Sequence, residues 1–157
     1  MIKKNIIYFF IILVIFLADR ISKLWIIKIS NINKYPDLAL LPFVNFNLIW
    51  NKGIAFGLFS FNQKSNYDLL TGLIILVTLI VFWMTIKTRG FEKYGFLVIF
   101  SGSLGNIFDR VMYSSVPDFI DIHYKNFHWF IFNVADIFIT FGVFILIINE
   151  FILKNQK

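Results

Sequence analysis

The chain contains no cysteine. That absence excludes disulfides, thiolate metal sites and a cysteine nucleophile, and the protein cannot itself be lipidated on cysteine. Histidine is nearly missing too. Only His123 and His128 occur, with no H-E-x-x-H, so a zinc-protease arrangement is excluded. Charge is scarce, at 15% of residues against about 25% in ordinary globular proteins. The net charge is +6, but the basic residues lie in small clusters between apolar runs, and no nucleic-acid partner is expected. A small-x-small cleavage site is also lacking after the basic Lys3-Lys4 start and the apolar run over 6–17. Asp19 and Arg20 come next instead, so the first segment reads as a retained membrane anchor.

What is present is overwhelmingly apolar. Hydrophobic residues make up 59% of the 157-residue chain, and phenylalanine alone contributes 21. A soluble domain this small has too much surface for its volume to hide them. Its solvent must be lipid. Crossing a hydrocarbon core of about 30 Å takes about 20 helical residues. Segments at about 5–29, 69–86, 94–112 and 133–153 meet or approach that length. The expected fold class is an all-α integral membrane protein of four transmembrane helices, forming one membrane-embedded domain over 1–157. Lys3, Lys4, Lys87, Arg89, Lys93, Lys154 and Lys157 mark one shared side, which the positive-inside tendency makes cytoplasmic. Both termini then face the cytoplasm, and the connections 30–66 and 113–132 face outward. Pro36 and Pro42 break any helix in the first of these. The stretch 43–50 partly alternates polar with apolar residues, as a half-buried strand does. The following 54–61 is strongly apolar but too short to span, which suits a segment lying in the interface. A small extracytoplasmic element of strand and interfacial helix is therefore expected beside the four spans.

Charged side chains inside membrane segments cost at least about 2.5–3.5 kcal/mol at the centre, which makes them functional candidates. Asp19 lies roughly 21 Å along the first span, in its outer half. Asn106, Asp109 and Arg110 end the third span, Asp118 follows, and Asn133 with Asp136 begins the fourth. All converge at one outer depth. Asp19 and Lys23 stand four apart and can pair, while Asn106, Asp109 and Arg110 form an i, i+3, i+4 set that projects together. Gly102 and Gly105 allow close helix approach. Each residue also has a plainer reading: an interfacial ion pair for Asp19–Lys23, a helix cap for Asp109–Arg110, a helix-dipole partner for Asp136, and solvated loop residues for Asp118 and Asp121. Asn51 either bonds a peptide backbone or caps a turn before Gly53.

Four local motifs, in order, resemble those of the lipoprotein signal peptidases, also called signal peptidase II. Asp19-Arg20-Ile21-Ser22-Lys23 resembles D-x-x-[ST]-K, and Asn51-Lys52-Gly53-Ile54-Ala55-Phe56-Gly57 resembles N-x-G-x-[AS]-[FW]-G. Gly105-Asn106-Ile107-Phe108-Asp109-Arg110 is similar to G-N-x-x-D-R, with Val116-Pro117-Asp118-Phe119 following as V-x-D-[FY]. Phe132-Asn133-Val134-Ala135-Asp136 is similar to F-N-x-A-D. Pro117 stands where the family more often carries an aliphatic residue, which removes one backbone donor. The resemblance implies Asp118 and Asp136 as a catalytic pair. It implies that Asp19, Lys23, Asn51, Gly53, Asn106, Asp109, Arg110 and Asn133 support the fold or the substrate. It also implies a prolipoprotein substrate with a diacylglyceryl cysteine, cleaved just before that cysteine at the bacterial cytoplasmic (inner) membrane.

Two close carboxylates suffice for peptide hydrolysis, because repulsion and desolvation separate their ionisations into a base and an acid. No metal or other cofactor is expected. The expected partners are the lipidated substrate and membrane lipid, with the enzyme itself monomeric. The rival classes are a small proton-coupled transporter and a non-enzymatic membrane assembly subunit.

Overall fold

The computed structural model describes residues 2–33, 38–53, 64–125 and 127–154. Four helices carry the fold: α1 (Ile2–Asn33), α2 (Lys64–Lys87), α3 (Glu92–Tyr113) and α4 (Val134–Lys154). They enclose the segments expected at 5–29, 69–86 and 94–112, and α4 covers the fourth from Val134 onward, with Asn133 just before it. Two of them, α2 over Ser65–Lys87 and α4 over Val134–Ile152, are long and apolar enough to cross a membrane, with mean hydropathies of 2.6 and 2.0. The other two carry charges within their runs: Asp19, Arg20 and Lys23 on α1, and Asp109 and Arg110 on α3. Gly90, with φ +74, makes the short turn between α2 and α3. Ser114 takes the left-handed conformation at the end of α3, where its N–H closes the last turn onto the Arg110 carbonyl.

Four strands accompany the helices: β1 (Leu38–Leu41), β2 (Val44–Asn51), β3 (Val116–Tyr124) and β4 (Phe127–Phe132). They form one antiparallel sheet in the order β1-β2-β3-β4. The strand expected over 43–50 is β2. The hairpin of β3 and β4 fills what reads in the sequence as a long outer connection. Its signal was the density of aromatic and β-branched residues over 116–132. Pro117 does not interrupt β3, since Val116 and Asp118 on either side keep their partners Asn51 and Ile49 on β2. The interfacial segment expected at 54–61 lies outside the described residues.

The distribution of side chains inverts that of a soluble domain. Phe9, Leu69, Leu79, Phe144 and Phe151 are exposed on the helices, whereas Asp19, Lys23, Asp109 and Asn133 are completely buried. Such an outer surface suits an apolar solvent, and such an interior requires that every charge find a partner. Small residues set the helix spacing. A Cβ on Gly102 of α3 would stand 2.7 Å from the Ala135 carbonyl oxygen of α4, and one on Gly142 would stand 2.6 Å from Ile99 Cγ1. The sheet rests on α1 through edge-to-face rings, with Trp25 against Phe46 at 5.8 Å and Phe46 against Phe119 at 5.5 Å. This seat holds Phe119, and with it the neighbouring Asp118, against α1.

The glycine spacing has a measurable consequence. Gly102→Val should lower the unfolding midpoint in detergent by the equivalent of about 1–3 kcal/mol, because backbone rather than a flexible side chain blocks the new group. Gly72→Ala on α2, where an added Cβ meets nothing within 4 Å, should leave the midpoint unchanged or slightly raised.

Candidate active site

The site begins with four charges on two helices. On α1, Asp19, Arg20 and Lys23 lie within one helical turn. Lys23 Nζ donates to Asp19 Oδ2 at 2.9 Å and crosses to α3 to donate to Asp109 Oδ2 at 2.7 Å. Arg20 Nη1 reaches Asp109 Oδ1 at 2.6 Å, and its guanidinium also covers the Phe108 ring. Two anions and two cations thus neutralise one another away from solvent. The Asp19–Lys23 pair expected from the spacing is present, and it forms half of a larger cluster. Arg20, which sequence reasoning passed over, completes it. Gly105 makes the cluster possible, since a Cβ there would collide with the Asp19 carboxylate.

The cluster reaches α4 by two routes. Asp19 Oδ1 accepts from Ala135 N at 3.0 Å, satisfying one of the orphan N–H groups in the first turn of α4. Lys23 Nζ also donates to Asn106 Oδ1 at 2.9 Å, and Asn106 Nδ2 donates to Asp136 Oδ1 at 2.8 Å. Asn133 caps α4: its Oδ1 accepts from Asp136 N at 3.1 Å while Asp136 Oδ2 accepts from Asn133 N at 3.2 Å. This is the reciprocal geometry of a capping box, with asparagine and aspartate in the two positions.

Asn133 does a third thing. Its Nδ2 donates to Asp118 Oδ1 at 2.6 Å, so one side chain links the Asp118 carboxylate to the Asp136 backbone. Asn51 at the end of β2 holds the other oxygen of Asp118 through Nδ2 at 2.8 Å. Its Oδ1 simultaneously accepts from Gly53 N at 2.7 Å. Of the two readings of Asn51, the turn cap before Gly53 is present, and its Nδ2 donates to a carboxylate of this chain. Asp118 is only 4% exposed, not a solvated loop residue. Burial, and next the negative charge of Asp136, push its carboxyl up to about 7, against the pull of the Asn51 and Asn133 hydrogen bonds.

Asp109 and Arg110, although adjacent, part company. Asp109 belongs to the ion cluster, whereas Arg110 Nη2 donates to the Gly53 carbonyl and its guanidinium lies 5.6 Å from the Tyr67 ring centre. Among the described residues, the remaining Arg110 nitrogens, Nε and Nη1, are buried without a hydrogen-bond partner. Arg110, Asn106 and Asp136 line the polar end of a cavity of about 660 Å³, whose walls include Ile74, Ile139 and Phe132. Asp121 departs from expectation. Read from sequence as a solvated loop residue, it is buried on β3 because the hairpin folds over it, and its Oδ2 meets His128 Nδ1 at 2.8 Å. Among the described residues, no group of three or more His, Cys, Asp or Glu side chains is arranged to hold a metal.

Comparison with known proteins adds to this geometry. Residues 11–152 match the family model described as signal peptidase (SPase) II. A lipoprotein signal peptidase of Pelagibacter ubique (strain HTCC1062) is 49% identical over 147 residues, covering 94% of this chain and 89% of the relative. A lipoprotein signal peptidase of Anaplasma phagocytophilum (strain HZ) is 36% identical, covering 98% of this chain and 97% of its own. Two solved structures, each of a bacterial membrane enzyme, superpose with TM-scores of 0.76 and 0.73. Both are 28% identical in sequence, the first covering 96% of this chain and 89% of its own, the second 91% of each.

The raised Asp118 carboxyl fixes the sign of a pH effect. Between the ordinary carboxylate range and about 7, the folded protein holds a proton at Asp118 that the unfolded chain releases. Stability from this group is therefore greatest at acid pH and is lost as pH rises through about 7. Asp118→Asn, which cannot ionise, should flatten that fall and raise the midpoint of unfolding at pH 8. An unchanged pH dependence in the variant would show that Asp118 does not contribute it.

Proposed function

The chain belongs to the signal peptidase II family, and from that premise we propose that Asp118 and Asp136 are its catalytic pair. The protein is an aspartic endopeptidase that removes the signal peptide from prolipoproteins, cutting just before the lipidated cysteine. The observation that best supports the pair is the Asn133 side chain, whose amide donates to the Asp118 carboxylate while its oxygen accepts from the Asp136 backbone N–H; burial, and next the charge of Asp136, lift Asp118 to about 7. That coupling suits two carboxyls sharing one proton. A lone structural aspartate has no use for it.

In this reading water lies between the two acids. The ionised member takes a proton from it as the water oxygen bonds to the scissile carbonyl carbon. The protonated member hydrogen-bonds the carbonyl oxygen and stabilises the tetrahedral intermediate. A proton passes to the amine nitrogen as the C–N bond breaks. Arg110, with two nitrogens beside the cavity that find no partner among the described residues, holds a carbonyl of the substrate backbone, and Asn106 and Asn51 orient the acids. Asp19, Lys23, Asp109, Asn133 and Gly53 keep these groups in place. The apolar walls of the cavity accept lipid chains or the signal-peptide helix.

The proposed setting is the bacterial cytoplasmic membrane. All four helices span it, α1 and α3 as well as α2 and α4, since the charges on α1 and α3 neutralise each other within the protein. Both termini and the α2–α3 turn face the cytoplasm, and the sheet and the acids lie at the outer surface. There water reaches the site while the diacylglyceryl chains remain in lipid. The chain works as one domain and as a monomer.

Asp118→Asn and Asp136→Asn should each slow cleavage of a lipidated prolipoprotein by at least about 10²-fold at unchanged expression. Near-normal cleavage by either variant would overturn the pair. Arg110→Lys, which loses the planar fork, should raise KM roughly tenfold with a smaller change in kcat. An unaltered KM would remove Arg110 from substrate binding.

A further inference from the structure

The two acids are not equivalent, and their surroundings distinguish them. Each carboxyl oxygen of both residues accepts one N–H, so donor number alone does not decide which holds the proton. What stands behind those donors does. The donors to Asp118 are two neutral amides, each locked by a neutral backbone N–H: Gly53 N behind Asn51, and Asp136 N behind Asn133. One donor to Asp136 is the Asn106 amide, and the group behind Asn106 is the Lys23 ammonium, completely buried, at 2.9 Å. An ammonium can only donate, so it forces Asn106 to present its oxygen to Lys23 and its NH₂ to Asp136. The same contact polarises the amide toward a negative partner. Asp136 also sits in the first turn of α4, where the helix dipole favours negative charge. Asp118 lies on a strand and has no such field.

The other charged groups around Asp136 are Asp19 from α1, Asp109 and Arg110 from α3, and Asp118 from β3; α2 and β4 present Ile74 and Phe132. Asp19 opposes the effect of Lys23, but it is bound to Ala135 N and not to the Asn106 amide. Lys23 also acts on Asp118, but through space alone, whereas its influence on Asp136 is delivered through the Asn106 amide that donates to the carboxylate.

We propose that Lys23, acting through the Asn106 amide and without touching substrate, fixes Asp136 as the carboxylate of the pair and leaves the shared proton on Asp118. This rests on the reading of Asp118 and Asp136 as the catalytic pair. Asp136 is then the base. It takes a proton from water as the water oxygen attacks the carbonyl carbon, and Asp118 gives its proton to the carbonyl oxygen. When the C–N bond breaks, the proton held by Asp136 passes to the amine nitrogen. The hydroxyl proton of the intermediate returns to Asp118 as the new carboxyl forms. Both acids end as they began. Lys23 is a positioning residue in this scheme and transfers no proton.

The test is the pH dependence of kcat/KM for cleavage of a lipidated prolipoprotein by the full-length enzyme in lipid vesicles. Lys23→Gln should shift the acid limb upward, seen as a roughly three- to tenfold loss at the acid end with little change on the alkaline side. Lys23→Gln leaves buried Asp109 short of a cation, so Lys23→Gln combined with Asp109→Asn provides a charge-balanced second variant, for which the same shift is expected. In an Asn106→Ser background, replacing Lys23 should move the limb no further, because the connection is already cut. An acid limb that stays in place in the folded charge-balanced variant overturns the proposal, as does an equal shift with and without Asn106. Asp118→Asn and Asp136→Asn belong in the same series. Cleavage by either would defeat the catalytic pair itself, whereas two inactive variants with an unmoved acid limb would defeat only the role of Lys23.

Discussion

Four charges that lie out of reach of water, Asp19, Arg20, Lys23 and Asp109, must balance one another, and the rest of the molecule is arranged around that requirement. Breaking a buried ion pair by removing one partner costs about 3–5 kcal/mol, a large share of the 5–15 kcal/mol that holds an ordinary protein together. The cluster consequently sets the register of α1 against α3: Lys23 meets Asp109 only if the two helices cross at the level of Gly105. Because Asp19 also accepts from Ala135 N, and Lys23 reaches Asp136 through Asn106, three helices are fixed by one set of charges. A hydrophobic contact could hold the helices equally tightly, but it would not define their relative height, since sliding one apolar surface past another inside lipid costs little.

The sheet depends on that frame at second hand. β3 brings Asp118 to the capped end of α4, and Asn133 ties the two together. β2 contributes Asn51, and the Gly53 that follows accepts from Arg110 of α3, closing a ring of contacts from sheet to helix. A strand is well suited to this task. It delivers the acid to the capped end of α4, while its neighbour Phe119 points into the aromatic seat on α1. An enzyme that cuts a lipid-anchored peptide needs such a meeting of phases: polar groups and water on one side of the scissile bond, hydrocarbon on the other.

Much of this was legible in the residues. The four helices follow from the lengths of the apolar runs, and β2 follows from its alternation. The convergence of Asp19, Asn106, Asp109, Arg110, Asn133 and Asp136 follows from counting along those runs from the expected membrane faces. The failures have physical causes. The β3–β4 hairpin was hidden because 116–132 lacks the strict period of two that marks a half-buried strand: 116–119 are buried in succession, while Phe127 and Trp129 are exposed. Asp121 seemed a loop residue for the same reason. Arg20 was passed over because its neighbours Asp19 and Lys23 made a sufficient pair at i, i+4, and only a third partner, Asp109 on another helix, gives it a role.

What the sequence determined by itself is the solvent of this protein and the inventory of its chemistry: an apolar exterior that demands lipid, and a set of acids and amides too costly to bury without purpose. What only the tertiary structure decided is who partners whom. Adjacent Asp109 and Arg110 point to different neighbours, Asn133 links the Asp118 carboxylate to the Asp136 backbone from a single side chain, and Lys23 stands behind Asn106 rather than beside a carboxylate alone. Hydrogen bonds are short and directional, so membership of a network is settled by fractions of an ångström across elements distant in the chain. Spacing along one helix cannot supply that information, because it says which residues share a face and nothing about what the opposite face presents.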